Sequence, residues 1–174
     1  NAVNRILHPG ELRVTLALGG GAARGIAHIG VLKAIEELGI TVEGVAGTSI
    51  CASIGSRYCK GYSWKEIWEV AQDLSWGELV KLSFSGMGLA KTNKLEALLQ
   101  DLLENREFSE LDVPLKVVTV DIATAEEVVL DSGNVARAAL ASASIPGIFE
   151  PVEMAGRFLV DGGVSNNVPC DIAR

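Results

Sequence analysis

The N-terminal part of this 174-residue chain passes twice from a short β-prone run through a tight turn into a helical pattern. In the first unit, residues 13–18 precede a glycine-rich turn, and residues 22–38 then carry apolar side chains three positions apart. In the second unit, residues 40–46 indicate a strand and residues 50–58 the helix that follows it. Because such units with short loops pack with parallel strands and right-handed crossovers, the pattern predicts an α/β domain.

The rest of the chain predicts further elements of the same domain. The apolar, β-branched run at 115–122 is typical of an interior strand, and residues 127–130 are expected to pair with it after a turn. A helix is expected after Ser63, which is a suitable N-cap with Glu66 as its capping-box partner. The remaining predicted elements are helices over 92–103 and 134–144 and a short strand over 157–160.

Charge and composition exclude several classes of partner. A formal net charge of −7 disfavours nucleic acid and anionic membranes, because both are held by basic surfaces. No apolar run approaches the roughly 20 residues that span a bilayer, and residues 1–11 lack a signal-peptide pattern. We therefore expect a soluble, cytoplasmic protein whose membrane contact, where it occurs, is peripheral. Three cysteines without CxxC spacing predict reduced thiols and no metal site.

The two ends of the sequence indicate a piece of a longer protein. The chain begins without methionine, and residues 168–174 look like the start of a helix. We expect residues 1–12 to form an N-terminal arm and residues 13–174 to form one domain that lacks its C-terminal end.

Ser49 is the first candidate for chemistry, in the sequence Gly47-Thr48-Ser49-Ile50-Cys51 between a predicted strand and a predicted helix. A serine on such a sharp turn is a nucleophile elbow, because the turn lifts the hydroxyl above the sheet beside the N–H groups of the helix start. The usual pattern is G-x-S-x-G, and here Cys51 replaces the last glycine. The position predicts a nucleophile for acyl transfer.

A serine hydroxyl needs a base, and the sequence supplies no histidine after Ser49. His8 lies in the predicted arm, and His28 lies on the first helix, where packing or capping is its favoured role. A carboxylate is therefore the expected base. Asp161 ends an apolar strand, so we expect it at the same edge of a parallel sheet as the elbow. Asp121 is the competing carboxylate, with turn capping as its favoured role.

The glycine-rich turn at 19–25 reads Gly-Gly-Gly-Ala-Ala-Arg-Gly. Free N–H groups of such a turn are suited to bind the oxyanion that forms when a serine attacks an ester. A dinucleotide-binding turn is the main rival interpretation, but the sequence fails the G-x-G-x-x-G spacing and also the Gly-Lys-Ser/Thr ending of a P-loop. We therefore expect no nucleotide and no other cofactor.

Four segments together resemble the patatin-like phospholipase family, its bacterial members in particular. They are residues 16–32, 47–49, 141–152 and 161–169, which follow the family's order. The resemblance covers residues 13–174 and implies a three-layer α/β/α fold with a mostly parallel central sheet. It also implies hydrolysis of lipid acyl esters, and a further strand beyond this sequence.

The resemblance assigns roles to individual residues. It implies a Ser49–Asp161 catalytic dyad and an oxyanion hole from the region of Gly20, Gly21 and Ala22. Residues in supporting positions are Arg24, Gly47, Cys51, Gly162 and Gly163. Loop support is the favoured role of Arg24, with contact to a substrate phosphate as the alternative.

Two residues depart from the family pattern, Ala22 and Cys51, which stand where glycine is usual. Ala22 keeps its N–H donor. The Cys51 side chain must find space beside the elbow, and a thiol near a helix start can have a lowered pKa. The alternative function is therefore a catalytically weakened lipid-binding or regulatory domain.

Large apolar residues in the middle of the chain predict either a lipid-contacting groove or lid, or ordinary core. Core is favoured for the two tryptophans four positions apart, because large apolar side chains are usually buried. The residues concerned are Trp64, Trp68, Trp76, Phe84, Met87 and Leu89.

Overall fold

The structure is a computed structural model that describes residues 12–73 and 88–174. Its strands are β1 (Arg13–Leu18), β2 (Thr41–Thr48), β3 (Leu115–Asp121), β4 (Glu127–Leu130), β5 (Val152–Met154) and β6 (Arg157–Asp161). Its α-helices are α1 (Ala27–Glu37), α2 (Ile50–Cys59), α3 (Trp64–Asp73), α4 (Gly88–Leu102) and α5 (Val135–Ala143). Short 3-10 helices occupy Ala22–Ile26, Phe108–Glu110 and Gly162–Val164. Of the predicted arm, only Leu12 is among the described residues.

Two local differences from the predicted elements have simple causes. The helix predicted over 22–38 begins as a 3-10 helix, and regular α-helix starts only at Ala27. Ala22 has a φ of 50°, in the left-handed region, so a regular α-helix does not begin there. The sequence does not predict β5, because its three residues are too few to show an alternating pattern.

Two helix starts have side-chain caps, of which the sequence predicts the first. The Glu66 carboxylate accepts a hydrogen bond from the Ser63 N–H at 2.8 Å, which confirms the predicted capping pair. Asn134 caps α5, and its side-chain oxygen accepts a hydrogen bond from the Arg137 N–H at 3.0 Å.

The central sheet confirms the α/β class. β1 pairs with β2 in parallel, as the two N-terminal units predict, and β2 also pairs in parallel with β3. β4 pairs antiparallel with β3, also as predicted. Helices α2, α4 and α5 pack on one face of this sheet, and the shared core includes Val45, Leu99, Val117, Leu140 and Leu159.

The two edges of β3 explain how the ends of β2 and β6 meet. β4 pairs with residues 117–120 of β3. β2 pairs with residues 115–118 of the same strand and β6 with residues 119–121, so β4 shares pairing positions with both of them. β4 must therefore occupy one edge of β3, while β2 and β6 share the other. β2 is parallel and β6 antiparallel to β3, so the two strands run toward each other. They end at adjacent positions, with Thr48 opposite Val118 and Asp161 opposite Thr119.

The segment after β6 returns across the face of the sheet opposite the helices. Side chains alternate between the two faces along a strand, so Thr48 and Lys116 point away from the helical layer. The Asn166 carbonyl accepts a hydrogen bond from the Thr48 hydroxyl at 3.0 Å, and the Ile172 carbonyl accepts one from Lys116 Nζ at 3.2 Å. These contacts bring the residues that follow Asp161 beside the residue that precedes Ser49.

Within residues 12–73 and 88–174, no helix has both the length and the apolar character needed to cross a bilayer.

Candidate active site

Ser49 occupies a strained turn between β2 and α2. Its φ of 60° and ψ of −149° belong to a region that residues other than glycine rarely adopt, at a cost of about 1–3 kcal/mol. Gly47 makes the close packing of strand and helix feasible, because a Cβ there would lie 2.7 Å from the Ala52 Cα. The sequence therefore forms a nucleophile elbow at the predicted position.

The Ser49 hydroxyl donates a hydrogen bond of 2.6 Å to Asp161 Oδ2. The other carboxylate oxygen of Asp161 accepts a hydrogen bond from the Gly163 N–H at 2.7 Å. Asp161 is only 6% exposed. Burial raises the pKa of this carboxyl above its ordinary value, and the hydrogen bonds from Ser49 and Gly163 oppose that rise because they stabilise the charged form. A carboxylate in this position can accept the serine proton.

Asp161 reaches Ser49 by a different route from the one we expected. The prediction of a parallel strand ending at the same sheet edge is wrong, because β6 runs antiparallel to β3. The two residues meet because β2 and β6 end head to head along one edge of β3. Gly162 allows the turn after Asp161, since a Cβ there would overlap the Val118 carbonyl oxygen.

The glycine-rich turn lies directly beside the nucleophile. A Cβ on Gly20 would lie 2.7 Å from Asn167 Oδ1 and 3.1 Å from the Ser49 Cβ, so the absence of a side chain favours this close approach. The Gly20 N–H donates to the Asn167 carbonyl at 2.9 Å, and Asn167 Nδ2 donates to the Gly20 carbonyl at 3.2 Å. Gly20 therefore anchors the turn, which corrects its predicted role as an oxyanion donor. The N–H groups of Gly21 and Ala22 have no hydrogen-bond partner among the described residues.

Cys51 is completely buried, and its sulfur lies in the space beside Gly25 that a side chain at that position would need. A Cβ on Gly25 would lie only 2.5 Å from Cys51 Sγ. Burial, together with the charge of Asp161, raises the pKa of the Cys51 thiol to about 11. The lowered pKa that a thiol near a helix start can have is therefore not found here, because desolvation disfavours the charged thiolate. The thiol is accommodated while Ser49 and Asp161 stay in contact.

The other candidate residues make no hydrogen bond to Ser49 or Asp161 among the described residues. The Arg24 side chain is exposed and has no bonding partner within the described ranges, so the structure contains no contact by which it would support the loop. Asp121 Oδ1 accepts a hydrogen bond from the Ala123 N–H at 2.9 Å, which confirms its predicted turn-capping role. Burial lowers the pKa of His28, and its Nδ1 has no hydrogen-bond partner among the residues that the structure describes. The part of the chain that is described holds no group of three metal-ligating side chains.

Two contacts of the site have no distinguishing signal in the sequence. Asn167 anchors Gly20, and the Ser142 hydroxyl accepts a hydrogen bond from the Ser49 N–H at 2.7 Å. Both residues belong to segments that carry the family resemblance, but serine and asparagine are common in loops and at helix ends. Their roles become apparent only once the fold brings the segments together.

The tryptophans of α3 are less buried than the favoured core interpretation predicts. The buried face of this helix consists of Ile67 and Ala71, whereas Trp64 is half-buried and Trp68 is 39% exposed. The core interpretation is therefore wrong for Trp68. It borders an open groove of about 290 Å³ between α1 and α3, which Ile29 and Lys33 also line. The other lid candidates lie outside the described residues or their described side chains: Trp76, Phe84, Met87 and Leu89.

Comparison with known protein families and sequences gives one consistent result. The sequence model of a family described as patatin-like phospholipase matches residues 16–174. An uncharacterised NTE family protein of Mycobacterium tuberculosis is 33% identical over 171 residues, covering 97% of this chain and 47% of that protein. Human patatin-like phospholipase domain-containing protein 6 is also 33% identical over 171 residues, covering 92% of this chain and 12% of that protein. The chain thus spans about half the length of the mycobacterial relative, and far less of the human one.

Solved structures share the fold at low sequence identity. VipD from Legionella pneumophila superimposes with a TM-score of 0.68 at 16% identity, covering 92% of this chain and 47% of that one. ExoU from Pseudomonas aeruginosa superimposes with a TM-score of 0.59 at 17% identity, covering 80% of this chain and 39% of that one.

Proposed function

Because the chain belongs to the patatin-like phospholipase family, we propose that it hydrolyses acyl esters of lipids, phospholipids included, with Ser49 as nucleophile and Asp161 as base. The observation that carries the proposal is the 2.6 Å hydrogen bond from the Ser49 hydroxyl to Asp161 Oδ2. A nucleophile in contact with a base, and a base held by a further group, is the arrangement that activates a serine. Here the Gly163 N–H is that further group.

In the first half of the proposed reaction, Ser49 Oγ forms a bond to the ester carbonyl carbon while its proton passes to Asp161. The carbonyl oxygen becomes an oxyanion, and the N–H groups of Gly21 and Ala22 are the donors we assign to it. When this intermediate collapses, the bond to the alcohol oxygen breaks. The departing alcohol takes the proton from Asp161, and an acyl group remains on Ser49.

In the second half, water attacks the acyl group and gives its proton to Asp161. The bond between the carbonyl carbon and Ser49 Oγ then breaks. The fatty acid leaves, and the proton returns from Asp161 to the serine. Asp161 thus acts once as base and once as acid in each half of the cycle, which is why no histidine is needed.

We also assign substrate contacts around this pair. Arg24 is exposed, and its carbon chain begins close to Gly21, since a Cβ on that glycine would lie 3.6 Å from the Arg24 Cβ. A free guanidinium there suits a substrate phosphate. The exposed Trp68 suits peripheral contact with a lipid surface, because an indole ring favours the boundary between apolar and aqueous phases.

The alternative, a weakened lipid-binding domain, rested on the side chain of Cys51. Its sulfur occupies the space beside Gly25, and the Ser49–Asp161 hydrogen bond is retained. This arrangement favours the hydrolase.

Turnover of a chromogenic acyl ester by purified variants tests the proposal. Ser49→Ala and Asp161→Asn should each lower kcat/KM by about a thousandfold or more, because they remove the nucleophile and its base. Both variants should unfold at temperatures close to that of the unmodified protein. Asp121→Asn is the matched control, since it changes another buried strand-end carboxylate and should keep most of the activity. Wild-type turnover by Ser49→Ala would contradict the proposal.

A further inference from the structure

Ser142 links the nucleophile to the central strand. Its side chain is fully buried near the end of α5. The hydroxyl oxygen accepts a hydrogen bond from the Ser49 N–H at 2.7 Å, and the hydroxyl proton is donated to the Val118 carbonyl at 2.6 Å. A hydroxyl can accept and donate at the same time, which an alanine or a carbonyl at this place could not do.

This link acts on the strained residue of the elbow. Ser49 keeps a positive φ only if its surroundings hold its backbone groups. Its carbonyl accepts a hydrogen bond from the N–H of Ala52, in the first turn of α2, at 2.9 Å. On the N–H side, the hydrogen-bond partner is the Ser142 hydroxyl. Loss of that acceptor would leave the Ser49 N–H partly buried and unpaired, and would allow the turn to relax.

The Val118 carbonyl is also the point where residues 161–163, here called the base segment, pack on the sheet. Gly162 lies against this carbonyl so closely that a Cβ there would overlap it. Val118 pairs with Thr48, the residue that precedes the nucleophile. The Ser142 hydroxyl therefore joins the nucleophile to the strand position that the base segment also contacts.

We propose that Ser142 is a positioning residue, which holds the Ser49 backbone so that its Oγ stays aligned with Asp161 and with the incoming carbonyl. The inference rests on the proposed function, since it concerns the same nucleophile. Ser142 has no bond to Asp161 or to the glycine-rich turn within the described residues. Its loss should therefore slow nucleophilic attack and leave substrate binding nearly unchanged. A displacement of about 1 Å in such a group can cost on the order of 100-fold in rate.

The test compares Ser142→Ala with a matched buried serine. Ser56 lies on α2, is buried, and donates its hydroxyl proton to the Ala52 carbonyl at 2.6 Å, a bond within its own helix. Ser56→Ala therefore removes a buried hydroxyl that does not hold the nucleophile. For each variant we would measure kcat and KM on a chromogenic ester, the rate of labelling by a fluorophosphonate probe, and the melting temperature.

The proposal predicts that Ser142→Ala is labelled at least about tenfold more slowly than the wild type, with kcat reduced and KM nearly unchanged. Ser56→Ala should be labelled at nearly the wild-type rate. Equal labelling rates for Ser142→Ala and the wild type, or an equal slowing in both variants, would overturn the inference while the proposed function stands. A wild type that is neither labelled nor active would overturn the proposed function, and this inference with it.

A second variant covers the case in which Ser142→Ala does not fold. Ser142→Cys keeps a side chain of similar shape but is a much weaker hydrogen-bond acceptor and donor. It should show the same slow labelling and reduced kcat in a folded protein. Wild-type kinetics in folded Ser142→Cys would count against the inference.

Discussion

At the scale of single residues, the environment of Asp161 sets its suitability as a base. Burial raises the pKa of its carboxyl, because the charged form loses solvation. A base with a raised pKa takes a proton from a serine hydroxyl more readily than an exposed aspartate does. The hydrogen bonds from Ser49 and Gly163 oppose that rise, because they stabilise the charged form of the carboxylate.

The pH dependence of kcat/KM should report this environment. Asp161 acts first as a base, so it must be charged in the free enzyme, and activity should fall as the pH drops through its pKa. Because that pKa is raised, the acid limb should lie above 3.8, the ordinary value for an aspartate. Circular dichroism at each pH would show that the fold persists across the limb. An acid limb at or below the ordinary value would contradict the account.

The sequence points to the proposed nucleophile and base more clearly than to the residues that position them. Ser49 and Asp161 stand out because the chain has an elbow pattern, a strand-end carboxylate and no later histidine. Ser142 and Asn167 do not stand out, because their roles depend on contacts between segments far apart in the chain. A hydroxyl or an amide has no pattern that specifies such a partner.

At the scale of secondary-structure elements, strand direction is what the sequence leaves open. The apolar run 157–160 predicts a strand, but hydrophobic alternation is the same whichever way the strand runs. The parallel order of β1, β2 and β3 follows from strand–helix units, whereas β6 follows β5 through a tight turn and lies antiparallel to it. The head-to-head ends of β2 and β6 could therefore be read only from the pairing registers.

The contact between Gly25 and Cys51 joins the 3-10 helix Ala22–Ile26 to the first turn of α2. Alanine at position 25 would force the Cys51 sulfur to move, and we expect an overpacking cost of about 1–3 kcal/mol in the free energy of unfolding. The same substitution in a Cys51→Ala background should cost much less, because the sulfur is gone. A four-variant cycle by denaturant unfolding would measure this coupling. An equal cost of Gly25→Ala in both backgrounds would contradict the contact.

At the scale of the whole molecule, the net charge of −7 and the exposed groove bear differently on the proposed contact with lipid. An acidic protein is not drawn to anionic membranes by charge, so apolar contact must supply the affinity. Trp68 is 39% exposed beside the groove between α1 and α3. In the proposal, Trp68 is the side chain that supplies this apolar contact with a lipid surface.

Vesicle co-sedimentation should reveal that contact. The protein should bind phosphatidylcholine vesicles with little dependence on salt, because ionic screening weakens only charge attraction. Trp68→Ala should weaken binding by roughly three- to sevenfold, because full burial of a large apolar side chain contributes about 1.5–3 kcal/mol and only the exposed 39% of Trp68 can be newly buried. Phe158→Ala is the matched control, as Phe158 is an aromatic residue that is 49% exposed on β6. Equal binding by the two variants would contradict a role for Trp68.

The central claim is that Ser49 is a nucleophile activated by Asp161, and peptide mapping after reaction with a fluorophosphonate tests it most directly. The serine oxygen would displace fluoride from phosphorus and leave a stable adduct. The account predicts one adduct, on Ser49, which is absent from Ser49→Ala and strongly reduced in folded Asp161→Asn. An adduct on another residue, or full labelling of Asp161→Asn, would contradict it.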